Sequence, residues 1–181
     1  DKCVRELLLS SYKVLELYAI KDWKNTVDNT QVKYVSSLKL QRISSLKKAN
    51  KVIAIARISD NSYDFKHDIT LVLDEISDPG NLGTIIRLCD WFGIKDIICS
   101  TNSVDCYNPK VIQASMGSIS RVNISYMDLN QLLTIKNYNT VAADLKGEKL
   151  TNYKFTANHI IFFGSESNGF SKKLSSKIND K

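Results

Sequence analysis

Short apolar runs alternate with helical patterns along the chain from residue 68 onward. The runs are continuous, as expected for strands that are buried on both faces of a sheet. Predicted strands lie at 69–73, 96–100, 122–125, 140–143 and 159–163, and predicted helices at 81–92, 109–115 and about 129–135. This alternation predicts an α/β fold, with a mostly parallel sheet and helices on both of its faces.

The first 57 residues follow a different pattern. They predict a helix at about 2–10, strands at 14–19, 31–35 and 51–56, a turn at 21–29, and a second helix that ends near residue 46. Ser36 or Ser37 can cap this second helix. The polar stretch 58–67 has no periodicity and predicts a linker. The chain is therefore expected to contain a small α/β domain at 1–57, the linker 58–67 and a larger domain at 68–181.

The predicted helix 81–92 has apolar side chains on two of its faces, so each face is expected to pack against another part of the protein or a ligand. At about 100° per residue, one apolar stripe suits packing on the sheet and consists of Leu82, Ile85, Ile86, Cys89 and Phe92. Arg87 points away from the stripe, together with Leu88 and Trp91. That face suits a second subunit or a ligand, although a solvated Arg on a core helix is the plainer alternative.

Composition narrows the class of protein. The 181 residues are 43% hydrophobic and 24% charged, which predicts a globular, soluble chain. We expect no membrane span and see no leader peptide, although the chain starts at Asp1 inside a helical pattern, so upstream residues are expected. The four Cys form no Cys-x-x-Cys pair and the two His have no partner at metal-ligand spacing. These patterns predict a cytoplasmic protein without a metal site.

The excess positive charge is confined to the N-terminal third. Residues 1–66 carry 13 basic and 7 acidic side chains, whereas the remaining residues carry 12 of each, so the net charge of +6 arises before residue 67. The stretch 36–51 holds five cations and no acid, and its candidate RNA-binding residues are Lys39, Arg42, Lys47, Lys48 and Lys51. Such a stretch suits phosphate contacts, with a solvated basic helix face as the alternative.

Candidate chemistry lies in two loops that follow predicted strands. An acidic Pro-Gly turn after strand 69–73 leads to Asn81, and the loop 164–171 after strand 159–163 holds Glu166 between two Gly. Ligands of parallel sheets bind beyond the carboxyl ends of the strands. No Gly-x-Gly-x-x-Gly and no P-loop pattern is present, which leaves a nucleotide- or phosphate-binding enzyme as a minor alternative.

Taken together, three segments resemble the SpoU (TrmH-type) RNA 2'-O-ribose methyltransferases of the trefoil-knotted SPOUT class. They are Asn81-x-Gly83-x-x-x-Arg87, Gly164-x-Glu166-x-x-Gly169 and the intervening 113–118, within a match from about 69 to 171. The N-terminal third looks like the ribosomal-protein-like substrate-binding domain of that family. The resemblance implies S-adenosylmethionine as cofactor, RNA as substrate, ribosomal RNA before transfer RNA, and a homodimer.

The resemblance also assigns roles to individual positions. It implies a catalytic group consisting of Arg87, Asn81 and Glu166, and a cofactor-binding group consisting of Gly164, Ser165, Gly169 and Ala143. Arg87 falls where the family places an Arg that helps to activate the ribose 2'-hydroxyl together with a substrate phosphate. Because Arg is ordinarily protonated, a charge-stabilising role is easier to defend than that of a free general base.

The family has a third motif, a loop with Ser and Asn that completes the cofactor pocket and the knot. No such motif follows Glu166 before Lys181. We therefore expect the chain to be a fragment that lacks the C-terminal knot segment and, as supplied, binds the cofactor poorly. The alternative is a non-catalytic RNA-binding protein built on the same scaffold.

Overall fold

The computed structural model describes residues 1–25, 31–58, 67–134, 138–145, 147–155 and 158–177. The N-terminal elements are α1 (Lys2–Leu8), β1 (Val14–Ala19), β2 (Lys33–Tyr34), α2 (Ser37–Ile43) and β3 (Val52–Ala56). Their strands form a sheet in the order β2-β1-β3, in which β1 is parallel to β2 and antiparallel to β3. A small apolar cluster that includes Leu17, Trp23 and Val52 lies against this sheet.

A second sheet is formed by the rest of the chain. Its elements are β4 (Ile69–Leu73), α3 (Pro79–Phe92), β5 (Asp96–Ser100), α4 (Pro109–Ser115), β6 (Asn123–Met127), β7 (Asn139–Ala142), β8 (His159–Phe163) and α5 (Lys172–Ser175). Three 3-10 helices lie at Ser118–Ser120, Leu129–Thr134 and Leu150–Asn152. The strand order is β6-β5-β4-β8-β7, and every pairing is parallel.

Both faces of this sheet are covered. Successive side chains of a strand point to opposite faces, so Leu71 and Leu73 of β4 enter a cluster with α3 and α4. Val72, between them, enters a second cluster with the 3-10 helix at 129–134 and with Leu174 of α5. The predicted α/β fold with a mostly parallel sheet is confirmed. The trefoil knot and the domain bounds stay predictions.

The helix α3 begins earlier than predicted. Asp78 is its N-cap, with a side-chain oxygen that accepts a hydrogen bond from the Asn81 N–H at 2.7 Å, and Pro79 occupies the first turn. Pro is well suited to this position, because the first turn has no intrahelical partner for its missing N–H. The predicted start at Asn81 was therefore two residues late, whereas the predicted end at Phe92 is confirmed, with Gly93 at φ 75°.

The buried face of α3 also differs from the predicted stripe. Phe92 is 72% exposed, whereas Gly83 is buried. A Cβ on Gly83 would lie only 2.5 Å from the Ala114 Cβ, so α4 packs directly on the backbone of α3 at this point. This contact turns the buried face toward Gly83 and leaves Phe92 outside. Glycine adds nothing to a hydrophobic pattern, so the pattern placed the face wrongly.

Several predicted bounds are corrected by one to three residues. The helices predicted at 2–10 and up to 46 end at Leu8 and Ile43, the strand 31–35 is reduced to Lys33–Tyr34, and the strand 122–125 becomes Asn123–Met127. The helix predicted at 129–135 is a 3-10 helix as far as Thr134; its start is tightened because Asp128 accepts a hydrogen bond from the Asn130 N–H. Residue 135, most of the linker 58–67 and half of the turn 21–29 lie outside the described residues.

Candidate active site

The strand order places two loops side by side at the carboxyl edge of the large sheet. From β4 the chain proceeds to β5 and β6 on one side, then returns to fill the other side with β7 and β8. The position between β4 and β8 is therefore a switch point, where ligands bind in open parallel sheets. The loop before α3 and the loop 164–171 both leave the sheet at this point.

Asp74 joins these two loops. Its backbone N–H donates to the Phe163 carbonyl at 2.8 Å, and its carboxylate accepts a hydrogen bond from the Ser171 N–H, also at 2.8 Å. Asp74 is only 3% exposed, so the carboxylate depends on this contact rather than on solvent. Asp74 was not among the site residues predicted from the sequence. The available signal was a carboxylate that directly follows five apolar or β-branched strand residues.

A second contact joins two of the three residues that the resemblance assigned to catalysis. The side-chain amide of Asn81 donates to the Glu166 carboxylate at 3.2 Å, across 85 residues of chain. Asn81 lies in the first turn of α3, held by Asp78, and both Asn81 and Glu166 are exposed. The structure therefore brings the two predicted motifs together and leaves their polar groups accessible from outside.

The loop around Glu166 is a tight backbone turn. Ser165 and Gly169 exchange two backbone hydrogen bonds of 2.9 Å, and the Ser165 hydroxyl accepts a further one from the Asn168 N–H at 3.2 Å. A Cβ on Gly164 would lie 2.4 Å from the Gly169 carbonyl carbon, and Gly169 itself has φ 66°. Both glycines are required by this geometry. Three predicted cofactor residues, Gly164, Ser165 and Gly169, thus form one compact turn.

A cavity of about 570 Å³ lies at the ends of β7 and β8. Its wall includes Ala143, the fourth predicted cofactor residue, and Phe163, which directly precedes Gly164. Gly164, Ser165 and Gly169 do not line it. The remaining wall combines apolar side chains with two carboxylates, and it includes Leu150, Tyr153, Phe155, Asp144 and Glu148. The size falls within the range of small-molecule sites, about 300 to 1,000 Å³.

Arg87 is not part of the Asn81 and Glu166 contact. It lies six positions after Asn81 along the helix, which corresponds to about 9 Å along the axis and about 120° around it. Arg87 is exposed, and within the described ranges no hydrogen bond or ion pair involves its guanidinium. The neighbouring surface is apolar, with Leu88 51%, Trp91 84% and Phe92 72% exposed. We call these three residues the α3 apolar patch.

The five predicted RNA-binding cations are all exposed on the N-terminal unit. Two lie on α2, two follow it and one directly precedes β3: Lys39, Arg42, Lys47, Lys48 and Lys51. Gln41, which orders this segment, was not among the residues predicted from the sequence. The Gln41 side chain donates to the Leu46 carbonyl at 3.3 Å and accepts a hydrogen bond from the Ala49 N–H at 2.8 Å. This one amide fastens the basic loop to α2.

The cysteines and the acidic residues do not form a metal centre in the part of the chain that the structure describes. All four Cys are free, and Cys89, Cys99 and Cys106 are buried. Burial raises the pKa of Cys89 and of Cys99 to about 12. Such thiols stay protonated near neutral pH and are poor nucleophiles. Among the described helices, none is long and apolar enough to cross a membrane.

Comparison with known proteins gives a consistent family. The model of the SpoU rRNA Methylase family matches residues 68–181. The 23S rRNA (guanosine(2553)-2'-O)-methyltransferase RlmP of Bacillus subtilis (strain 168) is 34% identical over 76 residues, which are 39% of this chain and 31% of that protein. In this and other curated relatives, the matched segment spans 13% to 42% of the relative's length.

Solved structures resemble the chain over nearly its whole length. A TrmH-family RNA methyltransferase from Porphyromonas gingivalis superposes with a TM-score of 0.89 at 29% identity and covers 99% of this chain and 75% of that one. The SpoU methyltransferase AviRb from Streptomyces viridochromogenes, solved with AdoMet, gives 0.85 at 19% identity, with 99% and 76% covered. At that identity the second likeness shows a shared fold.

Proposed function

Because this chain belongs to the SpoU rRNA methylase family, we propose that the native protein transfers a methyl group from S-adenosylmethionine to a ribose 2'-hydroxyl of RNA. The observation that carries this proposal is the hydrogen bond between Asn81 and Glu166. It joins the two motif-bearing loops at the switch point of the sheet, where a ligand is expected. The 2'-O-methyltransferase from Bacillus subtilis supports the ribose hydroxyl as the acceptor.

The residues at the ends of β7 and β8 fit S-adenosylmethionine. The cavity of about 570 Å³ offers apolar walls for an adenine ring and the carboxylates of Asp144 and Glu148 for hydroxyl or ammonium groups. Gly164 does not line this cavity, but it directly follows Phe163, which does. When bound, S-adenosylmethionine supplies an electrophilic methyl group. The AdoMet-bound relative with the same fold supports this choice.

Arg87 acts on the RNA rather than on the cofactor in this proposal. Its guanidinium stays protonated, so it stabilises negative charge and is a poor proton acceptor. We propose that Arg87 binds a phosphate beside the target ribose. This phosphate then accepts the proton of the ribose 2'-hydroxyl. Asn81 and Glu166 hold the loop that surrounds the reacting oxygen. This division of roles needs positioning and charge, which are both strong contributors to group transfer.

A homodimer is proposed for the α3 apolar patch. Leu88, Trp91 and Phe92 expose a contiguous apolar surface beside Arg87, which pairs with none of the described residues, and such surfaces commonly mark contacts between proteins. A second copy of the chain would cover this patch and enclose Arg87. The cytoplasm stays our predicted compartment, with the four free cysteines as support.

The basic segment 36–51 suits an RNA substrate, and we propose that it binds the RNA backbone beside the large sheet. Five exposed cations without an intervening acid suit the phosphate contacts that dominate RNA affinity. We propose ribosomal RNA as the substrate class, with transfer RNA as the alternative. The rRNA methyltransferase among the relatives supports this preference.

A methyltransferase assay with the intact native protein tests the proposal directly. Tritiated S-adenosylmethionine, ribosomal RNA and transfer RNA are supplied separately, and modified riboses are mapped by mass spectrometry. We expect 2'-O-methylation of ribosomal RNA, and a loss of about a hundredfold or more in Glu166→Ala. The exposed neighbour Ser167→Ala serves as the matched control. RNA binding without cofactor binding would instead establish the non-catalytic alternative, and methylation at a base would contradict the ribose assignment.

A further inference from the structure

One arginine ties the N-terminal unit to the helix that carries Arg87. Arg121 follows the 3-10 helix Ser118–Ser120, and its Nε and Nη2 donate to the Asp90 carboxylate at 3.0 and 2.7 Å. Its Nη1 donates to the Glu6 carboxylate at 2.5 Å. Asp90 belongs to α3 and Glu6 to α1. Arg121 therefore bridges a helix of the N-terminal unit and a helix that packs on the large sheet. Three of its nitrogen atoms donate to these two carboxylates.

The charges of this bridge reinforce one another. Hydrogen bonding to Arg121 lowers the pKa of Asp90, and hydrogen bonding to Asp90 raises the pKa of Arg121. The Asp90 side chain is only 16% exposed, so its contact is better shielded from solvent than an ordinary surface pair. Arginine suits this place because its planar fork holds two carboxylates at once, which a lysine ammonium does with less geometric control.

The approach of α1 to the second unit is close at the backbone as well. Gly117 has φ 99°, and a Cβ at this position would lie 2.7 Å from Cγ of Glu6 and 2.8 Å from its Cβ. The side chain of Glu6 thus packs directly on the glycine. At a second point, the hydroxyl groups of Tyr12 and Tyr107 lie 3.3 Å apart and share a hydrogen bond.

The same junction brings the basic segment beside α4. A groove of about 460 Å³ runs between them, with Ile43, Leu46 and Asn50 on one wall and Pro109, Gln113 and Met116 on the other. The helix α4 in turn packs on α3 at Gly83, between Asn81 and Arg87. The segment predicted to bind the RNA backbone and the helix of Arg87 are thus connected through packed elements on one side and through Arg121 on the other.

We propose that Arg121 is a positioning residue for the RNA substrate: by holding α1 against α3, it fixes the basic segment at a set distance from Arg87. This inference rests on the proposed function. Asp90 lies three residues after Arg87, about 4.5 Å along the helix, so the bridge is attached next to the residue it serves. An RNA that contacts both places at once gains from their fixed separation, because the second contact forms at a high effective concentration.

Removal of the Arg121 bridge is expected to weaken the binding of RNA and to leave the affinity for the cofactor unchanged. In Arg121→Ala the KM for a long RNA substrate rises about tenfold, since the second contact loses its effective concentration. The Kd of S-adenosylmethionine stays within twofold, because the cavity at β7 and β8 contains none of these residues. Arg121→Lys is expected to bring the KM for RNA part of the way back to the native value. In small-angle scattering of the free protein, we expect a larger radius of gyration for Arg121→Ala than for the native protein.

A second variant isolates the connection to α1. Glu6→Gln leaves the contact of Arg121 with Asp90 in place, so it tests the bridge even if Arg121→Ala does not fold. We expect Glu6→Gln to raise KM for RNA in the same direction, and the double variant with Arg121→Ala to be no worse than the single one. Lys95→Ala, an exposed cation near Asp90, is the matched control and keeps the KM of the native protein.

The outcomes separate this inference from the proposed function. A KM for RNA within twofold of the native value in both variants overturns the positioning role, as does a loss of cofactor affinity that accompanies every rise in KM. If the native protein methylates no RNA, the proposed function fails. The radius of gyration and the equilibrium Kd for RNA then still test the bridge, because neither requires turnover.

Discussion

Asp74 closes the loop that carries Glu166 at both of its ends. Its N–H donates to the carbonyl of Phe163, just before the loop, and its carboxylate accepts a hydrogen bond from the N–H of Ser171, the last residue of the loop. A single residue at the end of a central strand therefore determines where this loop begins and ends. This strand is buried and pairs with a neighbour on each side, so the contacts of Asp74 hold the loop next to Asn81.

Removal of the Asp74 carboxylate is expected to destabilise the protein. Asp74→Ala removes the part-buried hydrogen bond between this carboxylate and the N–H of Ser171, and a hydrogen bond to a charged group contributes about 1.5 to 3 kcal/mol to the free energy of unfolding. Asp74→Asn keeps an acceptor oxygen and should lose less. Urea unfolding measures both values, with the exposed Asp22→Ala as control. An unchanged unfolding midpoint in Asp74→Ala would contradict this role.

Arg87 is predicted to matter for turnover and not for folding. Since its guanidinium forms no hydrogen bond or ion pair with a described residue, Arg87→Ala should leave the melting temperature and the Kd of S-adenosylmethionine unchanged. Loss of a charge that stabilises the reacting group lowers kcat by about a hundredfold to a thousandfold. Single-turnover methylation of RNA provides the measurement, beside Lys95→Ala. Normal turnover would exclude a catalytic role for Arg87.

Gly164 tolerates no side chain. A Cβ there would lie 2.4 Å from the Gly169 carbonyl carbon, so Gly164→Ala must open the turn. Overpacking of this kind costs about 1 to 3 kcal/mol, and the displaced backbone should also weaken cofactor affinity. Calorimetry of the intact protein with S-adenosylmethionine checks the second effect. Ser167→Ala, in the same turn but exposed, is expected to bind as the native protein does.

The basic segment should contribute to the salt dependence of RNA binding. Reversal of charge in Lys47→Glu with Lys48→Glu removes two phosphate contacts, so the slope of log Kd against log salt should fall by about 1.4 to 1.8. Cofactor affinity should not change. Lys13→Glu with Lys95→Glu alters the net charge equally and serves as control. Equal slopes for the native protein and the Lys47 and Lys48 variant would argue for a merely solvated segment.

The α3 apolar patch predicts the oligomeric state. Trp91→Glu places a charge in the centre of the patch and should convert a dimer into monomers, because burial of an unpaired charge is costly. Sedimentation at several concentrations measures the change. Leu9→Glu, another exposed apolar residue at 76% exposure, should remain dimeric. A native protein that is monomeric at all concentrations would remove the basis for the dimer.

The sequence predicted those parts of the fold that depend on local patterns. The strands 69–73, 96–100 and 159–163 have the predicted bounds, because each contains at least three consecutive apolar residues, and α4 has the predicted bounds, starting at Pro109. The two motif loops were also predicted, and the contact between Asn81 and Glu166 agrees with their assignment to one place.

Contacts between distant polar residues were beyond the sequence patterns. Arg121 meets Asp90 across 31 residues and Glu6 across 115, and Asp74 meets Ser171 across 97. An isolated Arg or Asp gives no periodic signal, so neither its partner nor its burial can be read from spacing. The exposed position of Phe92 was missed for a related reason: only the packing of α4 on Gly83 decides which side of α3 is buried.

The place of β8 beside the central strand β4 has a consequence for biosynthesis. Glu166 follows Asn81 by 85 residues, which takes about 4 to 17 s at ordinary rates of translation. Once β5 has been made, β4 has a neighbour on one side but keeps an open edge on the other until β8 is made, and such apolar edges invite pairing with other chains. Nascent protein should therefore depend on chaperones until β8 emerges, and the candidate site forms only in the last stage of folding.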